Sequence, residues 1–389
     1  ARALRDDVSD WVSAQSLALK ATAWRDRLPE TKSLVFIYIP NTVDGVAALL
    51  GALSGEHAVA VLDPKLPLKA REALDDAYRP EVTIAAAPDD KGGVPAIRSR
   101  LAGSTINPAN ALLLSTSGST GSPKFVRHTL SAIVANADAI ATVLDVRANE
   151  VGCGHLPLHY SYGLSLLTSH MIRGAPVMLT ELALTDRAFW PRVRREEIAH
   201  FPGVPFHFQT LQRLGFARLG LDRLRVLTQA GGALDVNSRR IAHDFMSARG
   251  GRFHVMYGQT EAAPRITTLA HEDFPAAPAS VGSALPGGTL LIENEDGRPL
   301  GVGEQGNVVY LGPNVMLGYA TTRADLAAGD VNCGRLDTGD IGMLDDAGRL
   351  TLTGRAKRQA KIFGLRVNMD ELERIAGEVA TVAVVQKGE

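Results

Sequence analysis

The chain is poor in cysteine, has no surplus of either charge and contains no long apolar run. Each deficit closes off a class of protein. Only Cys153 and Cys333 occur among 389 residues. They stand far apart and outside any metal-ligand spacing, which excludes a disulfide framework and makes a reducing compartment the simplest setting. Each is read as a buried, inert thiol. The 41 basic and 42 acidic residues sum to a formal charge of −1 and are mixed along the chain, so there is neither an electrostatic footprint for nucleic acid nor a basic arm or tail. The apolar stretch from Leu34 is interrupted by Pro40, Asn41 and Asp44, well short of the ~20 residues a membrane span requires. No secretory pattern, internal repeat or low-complexity tract is legible. The expectation is a soluble, cytoplasmic protein without nucleic-acid or membrane partners.

What is present is a large apolar complement, 45% of the residues, in a chain longer than the ~250 to 300 residues at which one core stops growing. Two or more packed units are therefore expected. Val35 to Ile39 reads as a buried strand stopped by Pro40, Val43 to Leu53 as a helix ended by Ser54-Gly55, and His57 to Leu62 as another strand. Val82 to Ala86 and Ala111 to Leu114 continue the strands, and Leu130 to Leu144 has helical spacing. Such alternation predicts an α/β sheet covered by helices. From about Val281 short β-prone runs such as Leu290 to Ile292 and Val308 to Leu311 alternate with turns, and Asp345 to Gly348 precedes a further run at Arg349 to Leu352. That texture suits a small antiparallel sheet or barrel.

The strand ending at Leu114 empties into Ser115-Thr116-Ser117-Gly118-Ser119-Thr120-Gly121-Ser122-Pro123-Lys124. Glycines let consecutive backbone N–H groups turn toward one anion, hydroxyls add donors, and the lysine supplies a charge that can follow a moving phosphate. The spacing fits neither a Walker loop nor a nucleophile elbow. On composition alone a plain Gly/Ser surface loop stays open.

This loop resembles the phosphate-binding signature of the adenylate-forming superfamily, which includes acyl-CoA synthetases, luciferases and peptide-synthetase adenylation domains. Four more segments match in the same order. Gln229 to Ala233 is similar to the adenine-side turn, Tyr257-Gly258-Gln259-Thr260-Glu261 to the Tyr-Gly-x-Thr-Glu motif, Thr338-Gly339-Asp340 to Thr-Gly-Asp, and Gly354-Arg355 through Lys361 to Val367 to the hinge. Leu234 stands where relatives often have proline, and Asp337 where an aromatic or arginine is frequent. The resemblance spans roughly residues 34 to 385. It implies an α/β core over 1–354, made of helix-covered β-sheets with a β-barrel-like subdomain at about 281–354. Residues 355–389 would be the hinge and the start of a small C-terminal α+β domain, most of it absent, with a trimmed chain or a native short form both open.

The resemblance also implies roles. Thr116, Ser117, Gly118, Ser119, Thr120, Gly121 and Lys124 would hold the ATP phosphates, Glu261 would bind Mg2+, and Thr260 would donate to the α-phosphate. Alone, the Thr-Glu pair reads equally as a helix cap with a first-turn acid. Tyr257 would stack on adenine, enclosed by Gly231, Gly232, Ala233 and Gly258, although a core aromatic is the plainer reading. Asp340 would accept from the ribose hydroxyls with Arg355 beside it; a surface salt bridge is the alternative. Lys357 would be the pivot and Lys361 a lysine of the second half-reaction, although most charges in that basic run could be simply solvated.

On the acyl side, Gly154 to Leu164 resembles the family's Pro-x-x-His-x-x-Gly region, placing His159, Tyr160 and Gly163 near the substrate. Pro205 and His207 would line another wall, with His207 and Phe208 as ordinary core residues the alternative. His155 and His159 suggest a zinc pair, but Pro157 breaks the helix that would align them. The segment has no aspartate for an amino-acid ammonium, which favours an acid without an α-amine, and the two aromatics and the histidine of Gly203 to Gln209 suit an aryl or medium acyl group. The implied activity is AMP-forming activation of a small-molecule carboxylic acid by ATP and Mg2+, then transfer to the thiol of CoA or of a carrier protein's phosphopantetheine. An amide-forming ligase and a non-catalytic nucleotide-binding module remain open.

Overall fold

The computed structural model describes residues 2–38, 40–85, 96–99, 105–115, 124–355, 359–362 and 365–368, with the backbone alone in the first and last two short strands, 96–99, 359–362 and 365–368. Two large sheets organise the chain. The first runs in the order Gly318–Ala320, Phe125–His128, Leu112–Ser115, Ala58–Leu62, Leu34–Tyr38, Val82–Ala85 and Ala96–Ser99. Its four middle strands are parallel. Every side chain of Leu34–Tyr38 and of Ala58–Leu62 is buried, as befits parallel strands covered on both faces. Full burial of each large aliphatic there contributes about 1.5–3 kcal/mol.

The second sheet has nine strands, with a parallel centre formed by Arg252–Tyr257, Val226–Gln229, Ile198–Gly203, Val151–Gly154, Val177–Leu179 and Arg2–Arg5. Helices Val43–Ser54 and Ser161–Ile172 join the two sheets. Val46, Leu49, Leu164 and Leu167 share one core with Val35 and Val59 of the first sheet and Leu179 of the second. Helix starts follow local chemistry. The Thr42 hydroxyl accepts from the Gly45 N–H at 3.0 Å, and that of Thr129 accepts from Ala132 at 2.9 Å at the head of Leu130–Val143.

The β-rich stretch forms an open antiparallel sheet of Thr289–Glu293, Gly306–Leu311, Arg335–Leu344 and Leu350–Arg355. It is no barrel: the first and last strands do not pair, and four strands are too few to tilt and stagger into closure. Two short strands from the same stretch go elsewhere. Ser283–Ala284 completes one edge of the nine-stranded sheet, and Gly318–Ala320 lies antiparallel to Phe125–His128. Beyond Arg355, Gln359–Ile362 and Leu365–Asn368 form a hairpin ladder. Among the described residues no helix is long and apolar enough to cross a membrane. Cys153 is buried, and burial pushes its thiol far up, as expected of an inert group. Cys333 is exposed, against expectation, because it sits in the surface turn before Arg335–Leu344.

Candidate functional site

The phosphate-type loop follows Leu112–Ser115, an interior strand of the first sheet that pairs with Ala58–Leu62 on one side and Phe125–His128 on the other. Thr116, Ser117, Gly118, Ser119, Thr120 and Gly121 lie outside the described residues. Lys124 begins the return, and its Nζ stands 3.2 Å from the ring centroid of Tyr319, a cation–π contact. The next strand, Phe125–His128, is anchored by Arg127. Its Nη1 donates to the Ala328 carbonyl at 2.6 Å and its Nη2 to that of Gly329 at 3.1 Å. His128 Nε2 meets the Thr260 carbonyl at 2.8 Å. Since a carbonyl can only accept, Nε2 carries the proton. Complete burial pushes His128 down to about 4, so the ring is neutral.

That contact ties the lysine strand to the turn after Arg252–Tyr257. Gly258 permits the turn: a Cβ there would fall 1.8 Å from the Pro264 carbonyl oxygen. Thr260–Ala262 is a single 3-10 turn whose N-cap, Gln259, makes no side-chain capping bond. Thr260 is therefore not the cap, while Glu261 is the acid of that first turn. Thr260 Oγ1 lies 3.4 Å from Ser161 Oγ, and Glu261 Oε1 accepts from the Tyr319 hydroxyl at 2.7 Å. Both residues are part-exposed.

A second group forms where this turn meets the four-stranded sheet. The Tyr257 hydroxyl donates to Asp340 Oδ2 at 2.5 Å, and Arg355 Nε donates to Asp340 Oδ1 at 3.0 Å from the cross-strand position. The Asp340 side chain is 9% exposed and that of Arg355 70%. The pair is thus half buried rather than a free surface bridge. Desolvation first, then the Asp340 charge, pushes the Tyr257 hydroxyl well above its ordinary range. Gln259 Nε2 donates to the Thr338 carbonyl at 3.3 Å, a further link to the Thr-Gly-Asp segment.

Gly231, Gly232 and Ala233 are exposed. Gln229 Nε2 holds the Gly232 carbonyl at 2.8 Å. Gly231 is obligatory: φ is +76°, and a Cβ would come 2.3 Å from Tyr160 Oη. Pro205, the first residue of helix Pro205–Leu214, packs against Gly232. Gly163 lets Ser161–Ile172 close on its own approach, since a Cβ would lie 2.2 Å from the Pro157 carbonyl oxygen. Tyr160, Gly231 and Pro205 therefore form one wall.

The histidines divide. His159 Nε2 lies 3.9 Å from Asp63 Oδ2, whereas His155 Nε2 lies 3.4 Å from His207 Nδ1 and stacks on Phe201 with centroids 4.6 Å apart. His155 and His159 make no metal pair. Among the described residues no three His, Cys, Asp or Glu side chains could hold a metal together. Burial pushes His155 down to about 3 and His207 to about 4, leaving two neutral rings. Phe208 is wholly buried in the core. Lys357 lies outside the described residues, and Lys361 falls in the strand Gln359–Ile362 with only its backbone described.

Sequence reasoning passed over Tyr319, His128 and Arg265. Arg265 is buried, its guanidinium 3.9 Å from the Tyr162 ring centroid. Tyr319 and His128 act across more than fifty residues, beyond any local signal. Arg265 stands four residues after Glu261 and had a local cue: a cation inside an otherwise apolar run.

The family model described as "AMP-binding enzyme" matches residues 28–320. The indoleacetate–CoA ligase of Aromatoleum aromaticum is 29% identical over 72% of this chain and 55% of its own length. The L-proline–[L-prolyl-carrier protein] ligase of Pseudomonas fluorescens is 28% identical, over 72% of this chain and 56% of its own length. The chain thus spans little more than half the length of these curated relatives. Among solved structures, the crystal structure of VinN superposes with a TM-score of 0.77 at 26% identity, covering 91% of this chain and 95% of that one.

Proposed function

We propose that this chain, which belongs to the AMP-binding enzyme family, activates a carboxylic acid with ATP and Mg2+ and passes the acyl group to a thiol. The observation that carries the reading is convergence. The lysine after the phosphate-type loop, the Thr-Glu turn and the Thr-Gly-Asp strand meet through Tyr319, His128, Tyr257 and Gln259, although they are far apart in sequence.

In the first half-reaction a carboxylate oxygen attacks the α-phosphorus. The bond to the bridging oxygen breaks, and pyrophosphate leaves with the electron pair. Catalysis of this kind rests on positioning and charge stabilisation. Lys124 and the loop would hold the outer phosphates, and Thr260 would donate to the α-phosphate. Glu261 suits Mg2+, a hard ion that takes one or two carboxylates plus phosphate and water. Bound there, the ion would neutralise phosphate charge. Asp340 would accept from the ribose. Because the Tyr257 hydroxyl is engaged by Asp340, the ring is fixed in orientation, with adenine expected between it and the exposed residues Gly231 to Ala233.

In the second half-reaction a thiolate attacks the acyl carbonyl carbon and AMP departs, with Lys361 assigned to that stage and Lys357 to the pivot between the two stages. His159, Tyr160, Gly163, Pro205 and His207 would line the acyl side. Neutral imidazoles and aromatic rings favour an apolar, aryl-bearing acid, in keeping with the indoleacetate-activating relative. CoA or a carrier protein's phosphopantetheine would be the acceptor; one relative is named for CoA and another for a carrier protein.

The test is carboxylate-dependent exchange of pyrophosphate into ATP across aryl, medium-chain and short acids. Exchange with one class supports the reading and narrows the substrate. No exchange with any acid, despite measurable ATP binding, would move the chain to a nucleotide-binding module without catalysis.

A further inference from the structure

The segment around Tyr319 is held more tightly than a part-exposed tyrosine requires. Met316 N–H donates to the Glu261 carbonyl at 2.9 Å, and Leu317 N–H to that of Arg127 at 2.8 Å. The strand Gly318–Ala320 then pairs with Phe125–His128, placing Tyr319 opposite Val126. At Gly318, with φ +139°, a Cβ would come 2.9 Å from the Arg127 guanidinium. The backbone of Tyr319 is thus fixed by both elements that carry the charged groups of the site.

Its side chain touches each charge with a different part. The ring face receives the Lys124 ammonium at 3.2 Å, and the hydroxyl donates to Glu261 Oε1 at 2.7 Å. Lys124 and Glu261 thereby meet Tyr319 rather than each other. Opposite charges this close to one surface would otherwise pair directly, and a lysine neutralised by a glutamate serves neither a phosphate nor a metal ion.

We propose that Tyr319 is a positioning residue that keeps Lys124 and Glu261 apart and aims each at its own ligand, the ring seating the lysine and the hydroxyl orienting the carboxylate. This rests on the assignment of those two residues to MgATP. A hydrogen bond that orients a metal-binding carboxylate typically governs metal affinity by about 10–100-fold. The ring contact governs the lysine independently, so the two roles separate by substitution.

The experiment is calorimetric titration of ATP at a series of free Mg2+ concentrations, on the wild type, Tyr319→Phe and Tyr319→Leu, with thermal melts confirming that all three fold. Tyr319→Phe keeps the ring, and is expected to raise the Mg2+ concentration for half-saturation about tenfold while leaving ATP affinity at saturating Mg2+ within about twofold. Tyr319→Leu loses both contacts and is expected to raise the Mg2+ requirement equally and also to weaken ATP at saturating Mg2+. Folded variants that match the wild type in both quantities overturn the proposal and leave the MgATP site standing. A wild type that binds no MgATP overturns the site assignment and the proposal together.

Discussion

The hydroxyl of Tyr257 and the carboxylate of Asp340 lie 2.5 Å apart although 83 residues separate them in the chain. One residue ends a strand of the nine-stranded sheet and the other lies within the four-stranded sheet. The bond therefore holds two sheets in register at the place where the nucleoside is expected, and the exposed Arg355 completes it from one side.

Replacing Tyr257 by Phe keeps the ring and removes that bond. Because Asp340 is buried and retains only Arg355, stability is expected to fall by about 1–3 kcal/mol. The KM for ATP should rise several-fold with kcat little changed. Urea denaturation and steady-state exchange kinetics check both.

Glu261→Ala removes a part-exposed carboxylate with no core role, so the melting temperature should stay within about 2 °C. Mg2+-dependent pyrophosphate exchange should fall at least about 100-fold. Normal turnover by the folded variant would take Glu261 out of the site.

Gly231→Ala introduces two faults: a left-handed backbone at φ +76° and a Cβ 2.3 Å from Tyr160 Oη. The backbone fault costs about 1–2 kcal/mol. The collision adds to it but falls on the tip of a side chain. Tyr160→Phe in the Gly231→Ala background should recover the collision part and leave the backbone part, which a double-mutant cycle by denaturation resolves.

Acid should weaken the fold before the carboxylates titrate. Burial pushes His128 down to about 4, and His155, His170 and His254 to about 3, whereas the unfolded chain titrates them near 6.5. In between, the unfolded state binds more protons, so the stabilisation is complete above pH 6.5 and is lost as pH falls toward 4. Each histidine contributes a slope approaching about 1.4 kcal/mol per pH unit. Urea midpoints at pH 7.5, 6 and 5 should fall in that order, and a flat profile would mean these rings are not neutral inside.

Lys361→Ala should impair thioester formation more than adenylation, measured as separate half-reactions with CoA as acceptor. Equal losses in both would contradict the assignment of Lys361 to the second step.

Much of the fold was legible because its elements are locally coded. Leu34–Tyr38 and Ala58–Leu62 are unbroken apolar runs because parallel strands are covered on both faces. Val43–Ser54 and Leu130–Val143 were legible from helical apolar spacing, whereas their caps, Thr42 and Thr129, came only with the structure. The motif residues were legible in kind as well: a loop with a lysine, a Thr-Glu pair and a Thr-Gly-Asp carry their chemistry in adjacent side chains. The exposed Cys333 shows the limit of composition, which counts thiols but does not say which are covered.

What only the tertiary structure decided is how those pieces face one another. Gly318–Ala320 is three residues long with no usable periodicity, and it pairs with a strand about 190 residues earlier, where Arg127 Nη2 reaches the Leu317 carbonyl. No local pattern distinguishes Tyr319 from any other strand tyrosine, yet that pairing sets it between Lys124 and Glu261. The open edges of the four-stranded sheet were equally illegible, since closure depends on twist and stagger summed over all strands. Residue chemistry and period are properties of neighbours in sequence, whereas a site is a set of distances between residues that only packing brings together.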